Sequence, residues 1–362
     1  MNKDINPEMI LLARESRGMT QADLSKQLNV TQAAISKAEK IPGKVSDELL
    51  CRIAQLLNYP ESFFLQLGHS YPPSMPLHRK QQSLAKKIQH QIEAEANVRR
   101  LQIQKLMDSV EFEENEIPEF SIDEYGTAED VALATRMRLK LPKGPINNLS
   151  CIIESFGIVI VPCIFYTDKI DGFTMTCKDS RPIIFINEQM PWCRIRFTLA
   201  HELGHIIMNH VPSKKSEDEA NEFASSFLMP RDELKKDYFM KKISISGLAD
   251  LKPYWKVSMQ SLLVRAGHIG CITPDDQKKL FMQMNYLGYK KKEPVSIPPE
   301  YPILLKKIIE IHKTDLEYSE EEFLGMLCSF KESFSALYPY LQDSKKEKFK
   351  FRLIKCNYLP ST

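Results

Sequence analysis

Residues 196–205 read RFTLAHELGH, and this stretch limits what the chain can fold into more than any other. Positions four apart on an α-helix share a face, so His201 and His205 meet one ligand only if the segment is helical. Two neutral histidines and a carboxylate, Glu202, facing a core would be costly to bury unpaired. A bound metal ion offsets that cost, and the spacing suits one held from a single helix, with Glu202 beside it as a candidate base. Zinc in a hydrolase takes three protein ligands and keeps one position open, so a third ligand must come from elsewhere. Mn²⁺ or Fe²⁺ also fits two histidines and a carboxylate; ligand type and geometry favour Zn²⁺.

A histidine six residues after His205 would supply that ligand, but position 211 is Val. His210 lies five residues after His205, about 140° round a continued helix. It therefore reads as a surface or helix-end histidine turned away from the metal. The next helical segment, SEDEANEFASSFLMP, crowds Glu217, Asp218, Glu219 and Glu222 into its first turns. With Ala220, Phe223, Ala224 and Phe227 as its packed side, Glu219 is the acid nearest the apolar stripe, while Glu217 and Glu222 stay open as alternatives. The β-rich runs IVIVPCIFY, DGFTMTCK and RPIIFINE precede the histidine helix. RPIIFIN could take an extended substrate as an added strand. Tyr254, Arg265 and His268 are candidates for stabilising an oxyanion.

The first 69 residues read as a bundle of five short helices. PEMILLARESRGM stops at Gly18, Thr20 caps QADLSKQL, Thr31 caps QAAISKAEK, Ser46 caps SDELLCRIAQLLN, and PESFFLQL follows. Two helices joined by a tight turn in such a unit form a helix-turn-helix, whose second helix, starting at Thr31, presents Gln32, Ala33, Ser36 and Lys37. The pattern TQADLSKQLNVTQAAISKAEK resembles XRE-type (Cro/repressor-like) DNA-binding domains. That resemblance implies DNA as a partner of residues 1–69, with Gln21 and Gln32 where the family contacts phosphate and base edges. Bundles of this kind also serve only for dimerisation, so a homodimer stays open. The unit holds eight basic and eight acidic residues, so affinity must rest on local charge.

Local charge is uneven further on. A proline-rich hinge, SYPPSMP, precedes residues 79–105, which carry seven basic residues against two acidic ones with helical periodicity. They read either as a connecting helix that touches phosphates or as an ordinary solvated helix face. Residues 108–130 then hold ten acids and no Lys or Arg, as a linker or exposed edge. Eight scattered cysteines with no CxxC pair speak against a disulfide framework and suit a reducing cytosol. The start lacks a signal-peptide core, and no apolar run reaches membrane-spanning length, so a cytoplasmic chain with no membrane partner is expected.

IDGFTMTCKDSRPIIFINE, RIRFTLAHELGH and EANEFASSFLMP, in that order, resemble the ImmA/IrrE metallopeptidases. The resemblance covers roughly residues 150–270. It implies His201, His205 and Glu219 as metal ligands and Glu202 as the catalytic acid/base of a gluzincin-like zinc endopeptidase. The fusion to an XRE-type domain recurs among that family's prokaryotic regulators, and known members cleave, or promote cleavage of, a transcriptional repressor. Together these readings give a mainly α chain with an N-terminal five-helix helix-turn-helix bundle and a small α+β zincin-like metallopeptidase domain. The expected units are residues 1–69, a connection over 70–126, the peptidase over 127–290 and a helical region over 291–362. The function implied is a DNA-binding regulator that cleaves one specific protein, a repressor or antitoxin. The alternative is a regulator whose metal domain senses a ligand or partner without hydrolysis.

Overall fold

A computed structural model describes residues 5–70, 85–110, 115–176, 181–211, 213–240 and 243–341. Side-chain caps fix the first four helices. Asn6 caps α1 (Pro7–Ser16), Thr20 forms a capping box with Asp23 on α2 (Gln21–Leu28), Thr31 caps α3 (Gln32–Ala38), and Ser46 caps α4 (Asp47–Leu57). Each cap satisfies backbone N–H groups that the helix itself leaves unpaired. Asn29, in the left-handed region at φ 52°, makes the tight turn between α2 and α3. The expected fifth helix is instead a short 3₁₀ helix, Glu61–Leu65, whose Phe63 and Phe64 close the core from below. A buried ion pair from Arg14 to Glu39, with Nε–Oε1 at 2.5 Å, ties α1 to the end of α3.

The basic stretch is not the exposed connection expected of it. Residues 79–84 lie outside the described residues, and α5 (Lys86–Asp108) is a central helix buried from Ile92 to Leu106 over most of its surface. It packs along α1 and shares one hydrophobic core with the helix-turn-helix unit. Its charges are matched internally. Arg99 pairs with Glu95 at 3.2 Å and donates to the Leu337 carbonyl, and Arg100 donates to the His69 carbonyl at 2.6 Å. Neither guanidinium is therefore free to meet a phosphate. Of the acidic stretch, residues 111–114 lie outside the described residues. The rest includes α6 (Ile122–Tyr125) and leads into α7 (Ala128–Arg138), with the Phe120 N–H bonded to the Ile207 carbonyl.

After α8 (Leu149–Glu154), a three-stranded sheet forms from β1 (Val159–Cys163), β2 (Gly172–Met175) and β3 (Ile183–Asn187) in the order β1-β3-β2. β1 runs parallel to β3, and β2 runs antiparallel to it. Successive residues point to opposite faces, and both faces are covered. Val159, Val161, Phe173, Met175, Ile183 and Phe185 join the core of α1 and α5, while Ile160, Ile184 and Ile186 join a second core below. Burial on both sides explains why these strands read as continuous apolar runs.

The second core gathers α9 (Trp192–Ile207), α10 (Lys214–Leu228), α11 (Arg231–Met240), α12 (Ile245–Trp255), α13 (Met259–His268) and α14 (Pro274–Tyr286) with α7 and α8. The remaining helices, α15 (Leu304–Thr314), α16 (Glu320–Met326) and α17 (Lys331–Leu337), return to the first core, where α15 packs on α5 and β1. Glu154, pushed up to about 7 by burial, accepts the N–H groups of Ile303 and Leu304 and anchors the start of α15. Residues 342–362 of the expected C-terminal region lie outside the described residues.

Gly204 is the contact on which the α9–α10 packing turns. A Cβ there would stand 2.8 Å from the ring of Phe223, which is fully buried. Gly204→Ala should therefore overpack the interface and cost about 1–3 kcal/mol. Urea unfolding of the full chain measures this; an unchanged midpoint would mean that the Phe223 ring yields without strain.

Candidate metal centre and nucleic-acid interface

α9 forms as the sequence predicts and puts His201, Glu202 and His205 on two adjoining faces. The two histidine Nε2 atoms face each other at 3.0 Å. Glu217, from the first turn of α10, completes the cluster, with its carboxylate oxygens 3.6 Å from His201 Nε2 and 3.5 Å from His205 Nε2. Among the described residues these three form a group able to hold a metal ion. The donor set fits zinc: bonds of about 2.0–2.1 Å in a tetrahedron place ligand atoms roughly 3.4 Å apart.

The carboxylate that the structure brings to the histidine pair is Glu217 and not the expected Glu219. Glu219 lies away from the histidine pair, with Oε2 3.4 Å from His210 Nε2 and Oε1 3.1 Å from Lys215 Nζ. The reason is angular. At about 100° per residue, Glu217 and Glu219 flank the Ala220–Phe223–Ala224–Phe227 stripe on opposite sides. The flank facing α9 is that of Glu217 and Asn221. Asn221 Oδ1 lies 3.1 Å from His201 Nδ1, which leaves Nε2 of that ring for a metal once Nδ1 carries the proton.

His210 also departs from expectation. It is not a surface residue turned away from the cluster: its side chain is 8% exposed and its Nδ1 lies 2.9 Å from His205 Nδ1. The helix does not continue to it. Asn209 turns left-handed at φ 45°, the His210 N–H bonds to the His205 carbonyl, and the chain doubles back over α9. Burial, then the neighbouring His205, pushes His210 down to about 4, so it is neutral and can accept from His205. Burial opposes charge on His201, but Glu217, Glu202 and Asn221 together outweigh it and hold His201 above the ordinary histidine value. Hydrogen bonds to His201 and His205 hold Glu217 far below the usual carboxylate range.

Glu202 is 5% exposed and points toward the sheet, where Thr174 Oγ1 on β2 donates to its Oε2 at 2.7 Å. Thr174 was missed by sequence reasoning, although a lone buried hydroxyl in GFTM is the signal that could have found it. RPIIFIN does not offer an edge for a substrate strand. β3 is the central strand, bonded on both sides, and the edge beside α9 is β2. The structure brings none of the three oxyanion candidates to this cluster. Arg265 is buried and donates to Glu129 and the Met229 carbonyl, the Tyr254 hydroxyl lies by Gly144, and His268 is exposed at the end of α13.

At the other end of the chain, α3 exposes Gln32, Ala33 and Lys37, with Thr31 exposed at its cap and Ser36 half-buried. Gln21 is half-buried, and its Nε2 donates to Glu39 at 2.7 Å. Residues 153–266 match the peptidase M78 family, described as the IrrE N-terminal-like domain, and residues 10–64 match a helix-turn-helix family. The chain joins a helix-turn-helix DNA-binding domain to an IrrE N-terminal-like domain. The match over residues 153–266 spans the sheet, α9 and α10, and so contains the whole histidine–glutamate cluster of this peptidase-family domain. No curated protein matches the chain. Among the described residues no helix is long and apolar enough to cross a membrane.

Proposed function

We infer that the IrrE N-terminal-like domain is a metal-dependent endopeptidase and that the chain is a DNA-binding regulator acting on one specific protein, a repressor or antitoxin. The observation that carries this is the convergence of His201, His205 and Glu217 beside a Glu202 held by an edge strand. His201, His205 and Glu217 would hold the ion, with Zn²⁺ preferred and Mn²⁺ or Fe²⁺ compatible. When bound, such an ion supplies Lewis-acid polarisation of a peptide carbonyl and acidifies water. Glu202 takes the proton of the attacking water and returns it to the leaving amine nitrogen. Thr174 fixes one carboxylate oxygen and leaves the other to the reaction. The β2 edge aligns an extended segment by main-chain hydrogen bonds, which selects unfolded or strand-like targets. Gln21, Thr31, Gln32, Ala33, Ser36 and Lys37 form the DNA-facing surface, with Gln32 and Lys37 best placed to reach base edges and phosphate.

Elemental analysis of the purified full chain, loaded with zinc and then dialysed, tests the centre. One equivalent of metal per chain is expected. A chain that retains none after loading would sink the peptidase reading.

A further inference from the structure

We propose that the first turn of α5 supplies the phosphate-gripping edge of the DNA-binding face, with Lys86 and Lys87 contacting the duplex backbone beside the start of α2. The inference rests on the reading that the helix-turn-helix unit binds DNA. It answers a difficulty that unit presents by itself: its charge balances to zero, yet phosphate contacts supply most of the affinity of such proteins.

The unit's own arginines are engaged elsewhere. Arg14 is locked to Glu39, Arg17 donates to the Leu57 and Asn58 carbonyls and to Ser333, and Arg52 donates to the Leu28 carbonyl. The face that would meet DNA nevertheless carries a groove lined on one side by Thr20, Gln21 and Gln32 and on the other by Lys86, Lys87 and His90. Lys87 is 58% exposed with its Nζ 3.8 Å from Asp23, and His90 Nδ1 lies 3.5 Å from Glu15.

The local balance shows what these lysines do. Through its capping box with Thr20, Asp23 holds a carboxylate at the N-terminus of α2, where a phosphate would otherwise be welcome. Glu15 adds a second, while Arg14 is cancelled by Glu39. Without Lys86 and Lys87 the groove would set Glu15, Asp23 and Glu39 against the single guanidinium of Arg14, which pairs with both Glu15 and Glu39, and the net negative charge would repel the backbone. With them the carboxylates are neutralised, and two ammonium groups stand at the groove rim. Their position is fixed, because α5 is buried from Ile92 onward and crosses α1 with the Gln91 amide tight against Gly18.

The test is the salt dependence of binding, by fluorescence anisotropy, of the full chain to a labelled DNA duplex of mixed sequence. Wild type is compared with Lys86→Ala/Lys87→Ala and with Lys290→Ala/Lys291→Ala, an exposed pair remote from the groove. Alanine favours the helix, and circular dichroism of each variant checks that it is kept. At about 0.9 per phosphate contact, the slope of log K against log salt should become shallower by about 1.8 in the α5 variant. If the complexes converge near 1 M salt, that is about 60-fold weaker binding at about 0.1 M. The control pair should leave the slope unchanged, and Lys86→Arg/Lys87→Arg should restore it. An unchanged slope in the α5 variant, beside a wild type that binds, overturns the proposal, as does an equal loss in the control pair. A wild type that binds no DNA removes the underlying reading and this inference with it.

Discussion

Glu217→Ala should strip the metal from the zinc-loaded chain, and Glu219→Ala should not. Whole structural zinc sites contribute about 10–16 kcal/mol over four ligands, so one ligand is worth about 2.5–4 kcal/mol, or about 70- to 900-fold in affinity. Glu217 is placed for that role, since both of its oxygens lie within 3.6 Å of the two inward histidine nitrogens. Glu219 touches the site only through His210 and then His205. Groups that orient a ligand from outside cost about 10–100-fold when removed, and one acting through an intervening ring belongs at or below the low end. Competition with a chromogenic chelator separates the two predictions cleanly. Loss of metal in Glu219→Ala with retention in Glu217→Ala would reverse the assignment and restore the choice made from the apolar stripe and the family resemblance together.

That choice shows where the sequence runs out. The caps at Thr20, Thr31 and Ser46, the helix carrying HELGH and the partner helix after it were all legible, because each depends on residues a few positions apart. The flank of α10 that meets α9 depends on how the chain between the helices closes. Glu217 and Glu219 lie on either side of one stripe, and periodicity treats them alike. His210 was misplaced for a related reason: the extrapolation assumed a continuing helix, and a single left-handed residue, Asn209, folds the ring back onto His205. In α5 the net charge was read correctly, but charge counts do not reveal pairing. Arg99 and Arg100 are buried against Glu95 and main-chain carbonyls, while Lys86, Lys87 and His90 are exposed. Strand order was equally out of reach, since nothing within RPIIFIN says that β1 and β2 take both of its edges.

Glu202→Gln should abolish peptide hydrolysis while leaving the metal bound, and the surroundings of Glu202 make that substitution unusually clean. An amide has the shape of the carboxylate but takes no proton at neutral pH, so removing the base should cost about 10²–10⁴-fold in kcat/KM. The Thr174 hydroxyl, which donates to Glu202 Oε2, can donate equally to the amide oxygen, so the side chain stays in place. His201, His205 and Glu217 are untouched, and metal content should match wild type. Thr174→Val gives a contrasting result: it preserves the strand but leaves a buried carboxylate oxygen without its donor, at a cost of about 1–3 kcal/mol in stability. Its rate loss should be smaller than that of Glu202→Gln, because the base is still present though less well aimed. Both variants can be followed on the best peptide that the zinc-loaded wild type selects from a proteome-derived peptide library. If Glu202→Gln cleaves that peptide at the wild-type rate, Glu202 is not the base. If DNA-dependent regulation also persists unchanged in that variant, the metal centre acts as a sensor and the chain regulates without hydrolysis.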